Sequence, residues 1–142
     1  MAMSCTRTTI IVLIAISVVL FFASNKEVAH EKVTFTRIND ETGTLQIAST
    51  SYSVSIADSD EERTQGLSGT ASLKPQEGML FLFPQADYHP FWMREMRFPI
   101  DIIWIDSSWH VVGITKEARP ESYPSLFYPP APIKYVLEVP SP

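Results

Sequence analysis

The sequence predicts a mainly β domain with one short helix, folded as a small, partly open β-barrel or a strongly bent antiparallel sheet. Three observations carry this. Tyr52–Ala57 and Ile133–Val139 alternate apolar and polar residues with the period of a half-buried strand. The stretch from Gly78 to Asp106 holds short, almost continuous apolar runs bounded by Gly, Pro and Asp, the pattern of strands buried on both faces. Residues 119–132 hold five of the eleven prolines, which excludes helix or central strand there.

Composition sets the frame. The chain has 142 residues, 45% hydrophobic and 19% charged, enough for one globular domain and an appendage. Arg7 is the one charged residue in residues 1–24. The remainder carries 10 basic and 16 acidic residues. Such an acidic domain has no electrostatic footprint for nucleic acid or for an anionic membrane surface. The single cysteine, Cys5, precedes the apolar N-terminal block, so the domain has neither an internal disulfide nor a Cys-based metal cluster.

Ile10–Ala23 is almost wholly apolar and follows Arg7, as a secretory signal or an N-terminal membrane anchor does. It is shorter than the ~20 residues of a comfortable span, and Ala23-Ser24-Asn25 is a poor cleavage site. Residues 1–24 therefore read as a retained transmembrane anchor or as a signal removed on secretion. Residues 25–32 read as a tether, and 33–142 as one β-rich domain. Either reading places that domain outside the cytoplasmic membrane.

Within the domain, Val33–Ile38 reads as a first strand. Asn39–Gly43 is a turn by composition, and Thr44–Ala48 completes a hairpin. In the strand Tyr52–Ala57, Tyr52, Val54 and Ile56 share the inner face. The period then changes. Ser59 followed three residues later by Glu62 is a capping box, and acids in the first turn suit the helix dipole, so Asp60–Gln65 reads as a short helix ended by Gly66. Ser68–Glu77 is loop, with Leu73 as its anchor. Met79–Phe83 is a strand with Met79, Phe81 and Phe83 on one face and Leu80 and Leu82 on the other, so both faces should be covered. Phe91–Met93 begins another strand, interrupted at Phe98-Pro99 and followed by Ile100–Ile105. After the turn Asp106–Ser108, Trp109–Thr115 returns as an antiparallel partner. The last strand, Ile133–Val139, faces Ile133, Tyr135, Leu137 and Val139 inward.

These segments also carry a resemblance. Ala57-Asp58, Arg63, Gly66-Leu67, Gly78-Met79-Leu80-Phe81, Phe91-Trp92-Met93-Arg94, Pro99-Ile100-Asp101, Val111-Val112, Tyr123, Pro132 and Tyr135-Val136-Leu137-Glu138 together resemble the bacterial and archaeal family known as domain of unknown function 192. The resemblance spans Ile56–Glu138 and implies a secreted or membrane-anchored, mostly β domain without an established activity. Two departures stand out. Thr70 replaces a residue that is usually basic. The chain also ends at Pro140-Ser141-Pro142, where members usually continue with a Gly and one more strand; a domain truncated there would leave a barrel edge open.

Two candidate sites follow. The first is a polar pocket formed by Arg63, Trp92, Glu95 and Asp101. Asp101 shares a strand face with Ile103 and Ile105, and a carboxylate there is costly unless satisfied. It either grips a ligand with Arg63, acts as an acid or base, or accepts backbone N–H groups at the bend after Pro99. The second is an aromatic surface formed by Trp109, Tyr123, Phe127 and Tyr128, which either binds a partner or covers the barrel mouth. Trp104 and most of Trp92 are expected in the core. His89, Met93, Met96 and Met79 offer soft ligands of the kind Cu(I) selects, but Met79 and Met93 fit the core better, and no metal or cofactor is expected. No nucleophile elbow is present. The composite expectation is an extracytoplasmic module that binds an envelope ligand or protein, with an Asp101-dependent envelope hydrolase as the alternative.

Overall fold

The computed structural model describes residues 31–142. Seven strands form one strongly curled sheet: β1 (Val33–Arg37), β2 (Thr42–Ile47), β3 (Thr50–Ala57), β4 (Glu77–Asp87), β5 (Ile100–Ile105), β6 (Val111–Ala118) and β7 (Ile133–Pro140). One helix, α1 (Asp60–Gln65), separates β3 from β4. The strand order is β1-β2-β3-β4-β7-β5-β6. Every neighbouring pair is antiparallel except β3 and β4, which run parallel because α1 and its following loop carry the chain back across the sheet. The last strand thus lies in the middle of the sheet, and β1 and β6 form its edges.

Curling brings those edges together at one end. Val33 donates its N–H to the Trp109 carbonyl at 2.7 Å, and Val111 donates to the Glu31 carbonyl at 3.0 Å. Glu31 and Lys32, expected in the tether, therefore extend β1 toward β6. Phe35, Trp109 and Tyr135 stack across the same end, with ring centroids 5.6 and 3.7 Å apart.

The expectation that both sheet faces are covered holds at β4. Leu80 and Leu82 pack in the barrel interior with Leu45, Val54, Ile105 and Leu137. Phe81 packs on the outer face with Phe91, Ile102, Trp104 and Val136, beneath the loops. Ile133 is buried in this outer cluster rather than on the face of Leu137, at the end of β7 where the β4–β7 register shifts between Leu82 and Asp87.

Helix α1 begins and ends as its sequence dictates. The Ser59 hydroxyl accepts the Glu62 N–H, and the Glu62 carboxylate accepts the Ser59 N–H. Three acids occupy the first turn, and Gly66, at φ 49°, ends the helix.

One expected strand does not form. Phe91 makes only an isolated bridge to Phe127, and residues 92–99 turn instead of extending. Glu95 lies at φ 58°. Burial then follows the spacing of a turn: Met93 and Met96 go inward, and Trp92 stays 38% exposed. The expectation that most of Trp92 is core fails for this reason, whereas Trp104 is buried as expected.

Candidate functional site

A cavity of about 260 Å³ opens on the outer face of the sheet, between α1 and the 88–96 segment. Its floor is the β4–β7 ladder, and Glu138 is the buried charged residue in its lining. Strand alternation puts Leu137 and Val139 in the barrel interior, so Glu138 faces the outer layer with Val136. Met79 on β4 and Ile102 on β5 flank it in register.

Glu138 is 4% exposed, yet no described residue donates a hydrogen bond to its carboxyl. Its residual exposure is into the cavity that it lines. Burial without a compensating partner pushes its pKa up to about 8, so the carboxyl carries its proton at neutral pH.

Aromatic and sulfur-bearing walls surround that floor. Phe81, Phe83 and Phe91 meet in edge-to-face contacts, with Phe81–Phe91 centroids 4.9 Å apart. Trp92 and Met96 complete that side. The two walls are tied together. The Ser68 hydroxyl donates to the Arg94 carbonyl at 2.9 Å, and the Gly69 N–H donates to the Glu95 carbonyl at 2.9 Å. Gly66 matters here for its space as well as its φ. A Cβ on it would stand 3.2 Å from the Phe81 ring.

Arg63 lies on the opposite wall, with both Nη atoms engaged. Nη1 donates to the carbonyls of Asp58 and Leu82, the latter at 2.8 Å, and Nη2 pairs with Asp60 at 2.6 Å. Its guanidinium also lies 5.5 Å from the Phe83 ring centre, on a ring that stacks on His89 at 3.8 Å. Arg63 therefore closes off main-chain acceptors where the β4 ladder shifts register, and Asp60 balances its charge.

The structure brings together two of the four expected pocket residues, Arg63 and Trp92. Glu95 uses its carbonyl to fix the pocket wall, while its side chain is exposed. Asp101 lies on the interior face of the sheet, away from this cavity. One of its oxygens accepts the Glu117 N–H at 2.9 Å and the Ser141 hydroxyl at 2.6 Å. Glu117 lies at φ 53° beside a β5–β6 register shift, so its N–H leaves the ladder and Asp101 receives it. The Tyr52 hydroxyl is pushed up in pKa, first by burial and then by the Asp101 charge, which places both groups near the barrel interior.

The expected aromatic surface also divides. Trp109 belongs to the stack that closes the barrel. Phe127 exchanges two backbone hydrogen bonds with Phe91 and packs on the outer core, so the proline-rich loop sits beside the cavity. Tyr123 and Tyr128 remain 50% and 58% exposed. The loop is held down further where Pro130 packs over Gly113, whose added Cβ would come within 2.8 Å of the proline ring.

Met93 and Met96 are buried in the outer core, and Met79 packs against it. Among the described residues, no group of three or more His, Cys, Asp or Glu side chains is arranged to hold a metal ion. No helix among them is long and apolar enough to cross a membrane. The Ile10–Ala23 segment lies outside the described residues.

Glu138 closes the Tyr135–Glu138 motif and is absent from both expected sites. The available signal was an acid on a strand whose neighbours on both sides are apolar.

A curled, mainly β sheet with one short helix roofing a small aromatic pocket defines the class of this domain. The chain belongs to the domain of unknown function 192 family, whose model, described as an uncharacterised ACR, matches residues 43–141. Two solved structures are similar to it. One is a candidate transcription regulator from Sinorhizobium meliloti, 27% identical, with a TM-score of 0.62 over 78% of this chain and 80% of that one. The other is a protein of unknown function from Novosphingobium aromaticivorans, 25% identical, with a TM-score of 0.65 over 82% and 88%. No functionally curated protein matches the chain.

Proposed function

We propose that this domain is a ligand-binding module whose site is the cavity between α1 and Trp92, with Glu138 as its anchoring group. The carrying observation is the buried Glu138 carboxyl, without a hydrogen-bond donor among the described residues, opening into an aromatic-walled cavity. Leaving such a group unsatisfied costs on the order of 1–3 kcal/mol, a cost that a bound ligand can offset. The cavity lies just below the ~300–1,000 Å³ of drug-sized sites, which suits a small ligand. The hydrolase alternative receives no support from Asp101, because its hydrogen bonds tie β6 and the C-terminal segment to β5. The regulator description of the Sinorhizobium protein is not carried over, since the acidic balance of residues 25–142 opposes a nucleic-acid partner.

A protein-binding reading has one specific observation in its favour. The Phe91–Phe127 pairing sets the exposed Tyr123, Leu126 and Tyr128 on a loop beside Trp92. The location we propose is outside the cytoplasmic membrane, with Ile10–Ala23 as anchor or signal, on the strength of the sequence alone.

A thermal-shift screen of sugars, amines, carboxylates, nucleotides and short peptides tests the pocket. A ligand that binds the folded state raises Tm by mass action. The expected result is a shift that Thr64→Trp, which fills the pocket rim, abolishes. Shifts that survive Thr64→Trp would place binding elsewhere and overturn the assignment.

A further inference from the structure

Resting on the pocket assignment above, we infer that its ligand class is a small organic amine, bound as an ammonium ion against Glu138 with its apolar part between Phe81, Phe91 and Trp92.

The charges around the cavity favour this sign. Asp60 and Arg63 form a pair at 2.6 Å and cancel. Both Nη1 hydrogens of Arg63 go to main-chain carbonyls and Nη2 pairs with Asp60, so the charge it could offer an anion is already balanced. Glu138 accepts no hydrogen bond from the described residues, and once ionised its carboxylate offers two acceptor oxygens to a donor that enters the cavity. Once Glu138 ionises, the lining carries one net negative charge, the complement of a monocation. The walls suit the same class. Aromatic rings and a thioether accept an alkyl or aryl tail, and ring faces attract an ammonium group.

The free carboxyl holds a proton, so binding must move one. An ammonium ligand displaces the Glu138 proton to the buffer and leaves an ammonium–carboxylate pair. A neutral amine reaches the same state by taking that proton itself. At neutral pH, where the free amine is already cationic, each binding event releases close to one proton. The other groups facing Glu138 do not supply it. Met79, Phe81 and Ile102 flank it on the sheet, Asp60 and Arg63 face it from α1, and Trp92 and Met96 face it from the loop. His89 stands behind Phe83.

Calorimetry on the full-length protein with benzylamine, benzyl alcohol and benzoate tests the inference, since the three share a ring and differ in head group. Benzylamine should bind at least about tenfold more tightly than the other two. Its affinity should rise about tenfold per pH unit from pH 6 toward 8. Titrations at pH 7 in buffers of different ionisation enthalpy should count close to one released proton. Glu138→Gln should bring benzylamine to the level of the alcohol, and His89→Gln should leave the pH slope in place. The proton count is read on the natural protein, so the test stands even if Glu138→Gln folds poorly. Equal or tighter binding of benzoate or benzyl alcohol would overturn the ammonium reading and leave the pocket standing. So would binding of benzylamine without proton release. Failure of all three probes would also overturn it, while the pocket itself stands or falls on the Thr64→Trp comparison.

Discussion

Replacing Glu138 by Gln should make the protein more stable at neutral and alkaline pH and remove most of its pH sensitivity between pH 5 and 8. The sign follows from proton uptake. The folded-state value of Glu138 is about 8, against 4.5 for an unperturbed carboxyl. Between those values the folded protein holds a proton that the unfolded chain has lost. Stability must therefore fall as pH rises through that window. At about 1.4 kcal/mol per pH unit, the loss reaches about 3 kcal/mol at pH 7 and levels near 5 kcal/mol above pH 8. Glutamine keeps the size and polarity of the protonated acid and cannot ionise. Urea denaturation of both proteins at pH 5, 6, 7, 8 and 9 reads the difference directly, and comparing the two removes the contribution of every other titrating group. The curves should nearly coincide at pH 5 and separate by a few kcal/mol at pH 8, with Gln the more stable. Parallel pH profiles, or a Gln variant less stable at pH 8, would show that Glu138 is ionised and satisfied in the folded protein. That would remove the basis of the pocket assignment.

Three further outcomes follow from the same contacts. Asp101→Ala should cost about 1–3 kcal/mol in urea denaturation, because the Glu117 N–H and Ser141 hydroxyl lose their acceptor, while ligand-induced thermal shifts stay unchanged. Arg63→Ala should cost about 2–3 kcal/mol by the same measurement, mainly by stranding the Leu82 carbonyl; the Asp60 pair adds little, since that aspartate side chain is 93% exposed. Ser59→Ala removes one half of the capping box and should cost about 1 kcal/mol, with increased amide exchange confined to α1 and the pocket wall it forms.

Much of the fold was legible in local chemistry. The capping box at Ser59 and Glu62 forms with both reciprocal bonds, because each partner sits within one turn of chain. The double-sided apolar pattern of Met79–Phe83 correctly implied two covered faces. What the pattern missed depends on long-range geometry. Phe91–Met93 looks like a strand but has no neighbour along which to extend, and it turns at Glu95. Trp109 follows a turn in the sequence and looks exposed. Curling of the sheet brings Phe35 and Tyr135 to it from strands distant in the chain.

Glu138 and Asp101 show how far burial reasoning reaches from sequence. They lie on adjacent strands in neighbouring rungs, Ile102 opposite Glu138 and Asp101 opposite Val139, and they point to opposite faces. The cost of a carboxylate on an apolar face drew attention to Asp101, whose isoleucine neighbours are visible in its own strand. That cost is met locally, since a bulge in β6 supplies an N–H and the C-terminal segment a hydroxyl. The same reasoning applies with more force to Glu138, but its face is apolar only because α1 and the 88–96 loop cover it. Alternation assigns a side chain to a face and is silent on what lies over that face. A satisfied carboxylate is explained by the bonds it makes. One that stays buried without a donor among the described residues is accommodated by keeping its proton, and at the floor of a cavity it offers an unused partner to whatever enters.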